Sequence, residues 1–133
     1  MRKLLLAFLA VSVAIGLIAV AHHKEPQPTA DDGAVIARAA NVAITLKRAM
    51  RDPDSFQLSS VFIIDKTNAI CYEYRARNGF GGMDVGQAVL SPKGTFKTNE
   101  MDGFHALWRS ECHGKMGREE ADAVTFLLNR PTS

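Results

Sequence analysis

The chain has 133 residues, 47% of them apolar, and its 16 Lys and Arg against 14 Asp and Glu give a formal net charge of +2 at pH 7. That is enough chain for one compact domain and too little for two once a leader is removed. The near balance of charge excludes the basic stripe through which nucleic-acid phosphates are bound, because only Lys47-Arg48-Arg51 and Arg75/Arg77 cluster at all.

Met1-Arg2-Lys3 is a short basic start, Leu4 to Ala21 is unbroken apolar and small residues, and Ala19-Val20-Ala21 suits a signal peptidase. Export is therefore expected, with cleavage after Ala21. Left uncut, residues 4–21 are barely long enough to cross roughly 30 Å of hydrocarbon as an anchor, and they are then the only membrane contact. In both cases Arg2 and Lys3 stay inside and the rest goes outside, to the periplasm or the extracellular side of the inner membrane. No cysteine comes after the apolar run at a lipoprotein-type site, which excludes lipid attachment there. Without Arg2 and Lys3 the exported part is formally neutral. A cut after Ala21 would expose His22 and His23, a pair able to chelate copper with the terminal amine. Both head a Pro-bearing stretch with no rigid surface, so no metal site and no cofactor is expected. Residues 22–32, with Pro26 and Pro28, read as a flexible tether, and 33–133 as a single small domain.

In that domain Val35, Ile36, Ala39, Ala40, Ala43, Leu46 and Met50 recur at helical spacing, with Arg38, Lys47 and Arg48 opposite. Asp31 or Asp32 would cap the helix, and Pro53 stops it near Arg51. Phe56 to Ile64 alternates Phe56, Leu58, Ser60, Phe62 and Ile64 against Gln57, Ser59, Val61 and Ile63, which predicts a strand. Ala69 to Arg77 predicts its hairpin partner. Val85 to Leu90 and Thr95 to Thr98 complete a four-stranded antiparallel meander, with Ser91-Pro92-Lys93-Gly94 as a turn. Phe104 to Cys112 carries one apolar stripe and ends at Gly114, and Arg118 to Asn129 places Ala121, Val124, Leu127 and Leu128 on one side. The expected fold class is α+β: an N-terminal amphipathic helix, the meander, and two short C-terminal helices, all helices on one face of the sheet.

Cys71 and Cys112 are the only cysteines. An even count in an exported chain reads as a disulfide, and closing a loop of about 40 residues would stabilise the fold by roughly 4 kcal/mol. Free buried thiols and a metal site with His105 or His113 are the alternatives. Adjacent helical residues point apart, which makes Cys112 and His113 poor joint ligands.

Asn78-Gly79-Phe80-Gly81-Gly82-Met83 is the most distinctive stretch of the domain. It has no lysine where a phosphate loop needs one, and residues 84–89 look like a strand and not a helix. Two readings remain: a tight turn with positive φ and Phe80 packed back on the sheet, or a candidate binding loop of Asn78, Phe80, Gly81, Gly82 and Met83 that shows Phe80 and Met83 to a partner. Asp52 and Asp54 read as helix-stop residues with local hydrogen bonds, there being no calcium-loop spacing around them. His105 has no nucleophile-elbow serine to serve, so no catalytic residue is assigned.

Asp52-Pro53-Asp54-Ser55-Phe56, Cys71 with Asn78, and Gly81-Gly82 occur in the order found in a family of small exported proteobacterial proteins of uncharacterised function, which the chain resembles over roughly residues 44 to 90. In that family a helix ends in a D-P-x-S motif and a C-x6-N strand runs into a Gly-Gly loop. Tyr72 stands where the family often has glycine, and Met83 where it often has an aromatic. The resemblance implies fold and compartment and supplies no activity. The functional expectation is a non-catalytic envelope module that binds another envelope component through its sheet face or the Phe80 loop. A small hydrolase using His105 and a small-ligand carrier with an apolar pocket between helices and sheet are the rivals.

Overall fold

A computed structural model describes residues 30–131. The expected export segment at 1–21 and tether residues 22–29, His22 and His23 included, lie outside them. The elements run α1 (Ala30–Ala49), a single 3-10 turn (Pro53–Ser55), β1 (Gln57–Ile64), β2 (Ile70–Arg77), β3 (Met83–Leu90), β4 (Phe96–Thr98), α2 (Phe104–Glu111), β5 (Gly117–Glu119) and α3 (Ala121–Leu128). The described residues thus form an α+β fold of three helices and one antiparallel sheet of five strands in the order β4-β3-β2-β1-β5.

Helix α1 is already formed at residue 30, inside the expected tether, and Asp31 and Asp32 suit the positive end of a helix. Pro53 cannot continue it. The stop is then fastened to the sheet: the Ser55 hydroxyl donates to the Asp52 carbonyl at 2.7 Å and accepts the Arg77 N–H at 2.8 Å, while the Arg77 guanidinium meets the Asp52 carboxylate at 3.5 Å.

The meander forms as expected, with one correction inside β1. Strict alternation would put Phe62 and Ile64 on the face of Phe56, but a bulge between Leu58 and Ser60 shifts the register against β2. The phase reverses there. Phe56, Leu58, Val61 and Ile63 therefore join one cluster, whereas Phe62 and Ile64 join the other.

The larger cluster sits between the sheet and the α1–α3 layer. Ala39, Ala40 and Ala43 bring α1 close to Ile63, Ile70 and Tyr72, and Val124 of α3 closes the layer. Tyr72 is wholly buried, and its hydroxyl donates to the Ala39 carbonyl at 3.1 Å. Burial pushes this phenol well above its ordinary pKa, against the smaller lowering pull of Arg38.

The second cluster lies on the opposite face, where Phe104, Leu107, Trp108 and Cys112 cover Ile64, Ala69, Cys71 and Val89. Helices therefore cover both faces, not the single face expected. Gly103, in the left-handed region at φ 78°, turns the chain into α2, and a Cys71–Cys112 disulfide with Cα atoms 6.0 Å apart holds α2 against the far side of β2.

Residues from Arg118, expected to start the last helix, instead belong to β5, which pairs with β1 through Ile64↔Gly117, Ile63↔Arg118 and Phe62↔Glu119. A side chain at Gly117 would put its Cβ 2.3 Å from the Ile63 carbonyl oxygen, so the approach needs glycine. The Glu119 carboxylate accepts the Val61 N–H at 2.7 Å, the Ser60 hydroxyl at 2.5 Å and the Ala121 N–H at 3.0 Å. One side chain thereby holds the end of the bulge and the first turn of α3. Arg118 meets Asp32 at 2.6 Å, Asp65 at 3.3 Å and Glu120 at 3.2 Å, joining α1, the β1–β2 turn and the start of α3.

Candidate binding turn and groove

Asn78 builds the β2–β3 turn. Its N–H donates to the Gly82 carbonyl at 2.8 Å, its Oδ1 accepts the N–H groups of Phe80 at 2.9 Å and Gly82 at 3.0 Å, and its Nδ2 donates to Asp84 at 3.0 Å. Gly81 has φ +87°, the left-handed region that favours glycine. Gly82 does not. Closed by its own polar groups, the turn needs nothing from the Phe80 side chain, and Phe80 is 100% exposed. The expectation that Phe80 packs back on the sheet is overturned for that reason. Met83, counted with the loop in the sequence, is the first residue of β3 and is 42% exposed.

Behind the turn a groove of about 420 Å³ opens between the second half of α1 and the β2–β3–β4 side of the sheet. Leu46 and Met50 form its helix wall, Tyr74, Gly86 and Phe96 its sheet wall, and Met101 one lip. Tyr74 and Gly86 are cross-strand partners. A Cβ at Gly86 would stand 2.3 Å from the Tyr74 ring, so the missing side chain is what lets the ring lie across β3. The ring also packs against Phe56, with centroids 5.5 Å apart. Burial raises the Tyr74 pKa, and the nearby Glu100 carboxylate adds to the rise. Asn78, Asp84 and Glu100 supply polar groups to the groove, and Val85 and Met101 are 61% and 47% exposed beside it. The turn and the groove are thus contiguous.

The remaining candidates are scattered. His105 is exposed on α2 with its ring edge on Phe104, 5.4 Å between centroids, and lines neither this groove nor a second hollow of about 290 Å³ between the β1–β2 turn and the chain after α2. Asp52 is held by Arg77, and Asp54 is exposed on the 3-10 turn. Cys71 and Cys112 are joined and offer no thiol. Among the described residues no group of three or more His, Cys, Asp or Glu could hold a metal ion, and no helix is long and apolar enough to cross a membrane. Nothing in the sequence marks Tyr74, Gly86, Phe96 or Met101 as site residues. Only the Tyr74–Gly86 pairing points to them, and it is visible only once the register is known.

Comparison with protein-family models, with curated proteins and with solved structures finds no match.

Proposed function

We propose that this is a non-catalytic binding module of the cell envelope, working in the periplasm or on the extracellular side of the inner membrane. Its binding surface is the Phe80 turn with the adjoining groove. The compartment is supported by the export signature and by the disulfide, a bond that persists in oxidising surroundings. The observation that carries the function is a fully exposed Phe80 on a turn already fixed by Asn78 and Gly81. Interface hot spots are rich in aromatic anchors, and one carried on a backbone fixed in advance has only its side-chain rotamers left to order on binding. Met101 adds an exposed apolar side chain at the lip of the groove, while Met83 and Val85 stand exposed on the other face of β3, the face of Val89.

Photo-cross-linking tests this. With benzoylphenylalanine at position 80 in cells, a discrete adduct with an envelope component is expected, and it should be absent when the probe replaces Phe126, which is 63% exposed on α3. No adduct at 80, or equal adducts at both positions, refutes the reading.

The groove itself favours a second reading, a carrier of a small apolar ligand, since about 420 Å³ lies in the range of ligand pockets. A fluorescent fatty acid would then bind one to one and be lost in Ala49→Phe, which fills the helix wall.

A further inference from the structure

Strand β3 is paired with β2 along its whole length, from Met83 to Leu90, but with β4 only at Ala88, Val89 and Leu90. Asn99 extends that side by one residue: its N–H donates to the Gln87 carbonyl at 2.9 Å and its Oδ1 accepts the Gln87 N–H at 2.9 Å. The chain then turns away, with the Met101 N–H on the Thr98 carbonyl at 2.9 Å. In an antiparallel strand both backbone groups of a residue face the same neighbour, and successive residues alternate sides. Gln87 faces the β4 side, so Val85 and Met83 face it too, beyond the point where Asn99 ends the pairing. Among the described residues no strand lies beside them.

We propose that the partner of this domain is an extended peptide segment that adds as a strand to β3 at Met83–Val85 and drops alternate side chains into the groove beside α1. The proposal rests on the binding-module reading and names the class of partner. An uncovered row of outward N–H and C=O groups is the template to which extended peptides add, the main chain giving affinity and pockets for alternate side chains giving selectivity. The two sides of the sheet contrast here. Beside β1 the bulge, β5 and the Glu119 carboxylate cover the edge. Along Met83–Val85 there is no proline, no lysine and no bulge.

The neighbouring side chains say what the segment carries. On the groove side it meets Tyr74, Phe96 and Met101, which suit an apolar residue, and the carboxylates of Asp84 and Glu100, which suit Lys or Arg two positions away. Phe80 stands beyond the end of the added strand. A second copy of the chain fits less well, because antiparallel pairing about a two-fold at Asp84 sets turn residues 79–81 against 87–89, where Asn99 and β4 already sit.

Panning a phage library of random heptapeptides on the full chain, with synthesis of the enriched sequences, tests the proposal. Enriched peptides should pair an apolar with a basic residue at i and i+2. Bound to the protein, they should slow amide exchange at Val85. Methylating the peptide nitrogens of one alternate phase should weaken binding about tenfold or more per lost hydrogen bond, and methylating the other phase should leave it unchanged. Val85→Pro removes an N–H that faces away from β2, so the fold should persist while peptide binding is lost. The N-methyl peptides make the same test on the unaltered protein. No enriched peptide, unchanged Val85 exchange in the complex, insensitivity to both methylation phases, or a free protein that is already dimeric with Val85 protected each overturns strand addition. If position 80 still gives its adduct in Val85→Pro at the unaltered yield, strand addition falls and the binding-module reading stands; loss of the adduct from the unaltered protein removes both.

Discussion

Breaking the Cys71–Cys112 bond should undock α2 while the sheet and α1 remain folded. The bond spans a sequence separation of 41 residues, and freeing an unfolded chain of that closure costs the native state about 4 kcal/mol at 25 °C in the chain-entropy treatment. Against a typical stability of about 5–15 kcal/mol that is a large share. Little else holds α2. It has 8 residues and no side-chain N-cap bond, well below the length at which a helix is stable alone, and of its own residues only Phe104 is fully buried against the sheet. Urea unfolding with and without dithiothreitol, and of Cys71→Ala/Cys112→Ala, measures the loss. With a slope near 2 kcal/mol per molar urea, the midpoint should fall by about 2 M. Amide exchange at mild denaturant should show residues 104–112 losing protection first. A midpoint shift below about 0.5 M, or α2 amides as protected in the reduced protein as in the oxidised one, would refute the claim that this closure holds the helix.

Gly81→Val places a β-branched residue at φ +87° and should cost about 1–3 kcal/mol by thermal melting. Gly82→Ala should cost less, because Gly82 lacks that φ and its added Cβ has only to push back the Asn78 amide, 3.3 Å away. Glu119→Ala removes the acceptor of three hydrogen bonds and should destabilise by about 2–3 kcal/mol in denaturant titration, with Glu119→Gln recovering part of it. Tyr72 is buried with its pKa raised above the ordinary 10.0, so above that pH the unfolded chain releases a proton that the folded chain keeps. Stability should then fall by about 1.4 kcal/mol per pH unit until the folded phenol ionises. Tyr72→Phe should cost about 1 kcal/mol at neutral pH and lessen this alkaline slope, to which Tyr74 also contributes.

Helix α1, the meander, the stripe of α2 and the apolar side of α3 are all legible in the sequence because each repeats its period over enough residues to be read locally. The disulfide is legible from cysteine parity. Strand β5 is not: Gly117-Arg118-Glu119 is too short to show alternation, and its reason for pairing is the Ser60 hydroxyl and Val61 N–H, donors far off in the chain that Glu119 accepts. Nor is the bulge, since Ser59 and Ser60 fit either phase of the alternation. The turn at 78–82 is recognisable from its glycines, but in the sequence Phe80 reads equally as a recruit to a thin core, and only the self-sufficiency of the Asn78 hydrogen bonds shows that it is not needed there. The groove cannot be read at all, because its walls come from α1, β2, β3 and β4 and exist only after those elements pack.

The chain's last strand fastens to one that was laid down long before it. Glu119 reaches Val61 across a separation of 58 residues and Arg118 reaches Asp32 across 86, whereas β1, β2 and β3 are joined by short turns. Contacts between near neighbours in sequence close at low entropic cost and form early, and distant ones form later. The segment from β5 to α3 therefore docks late and leaves early. Substitutions at Arg118 or Glu119 should speed unfolding and leave the rate of folding nearly untouched. The lifetime of the native state, more than its depth, is set by how tightly that final segment latches onto strands that were already in place.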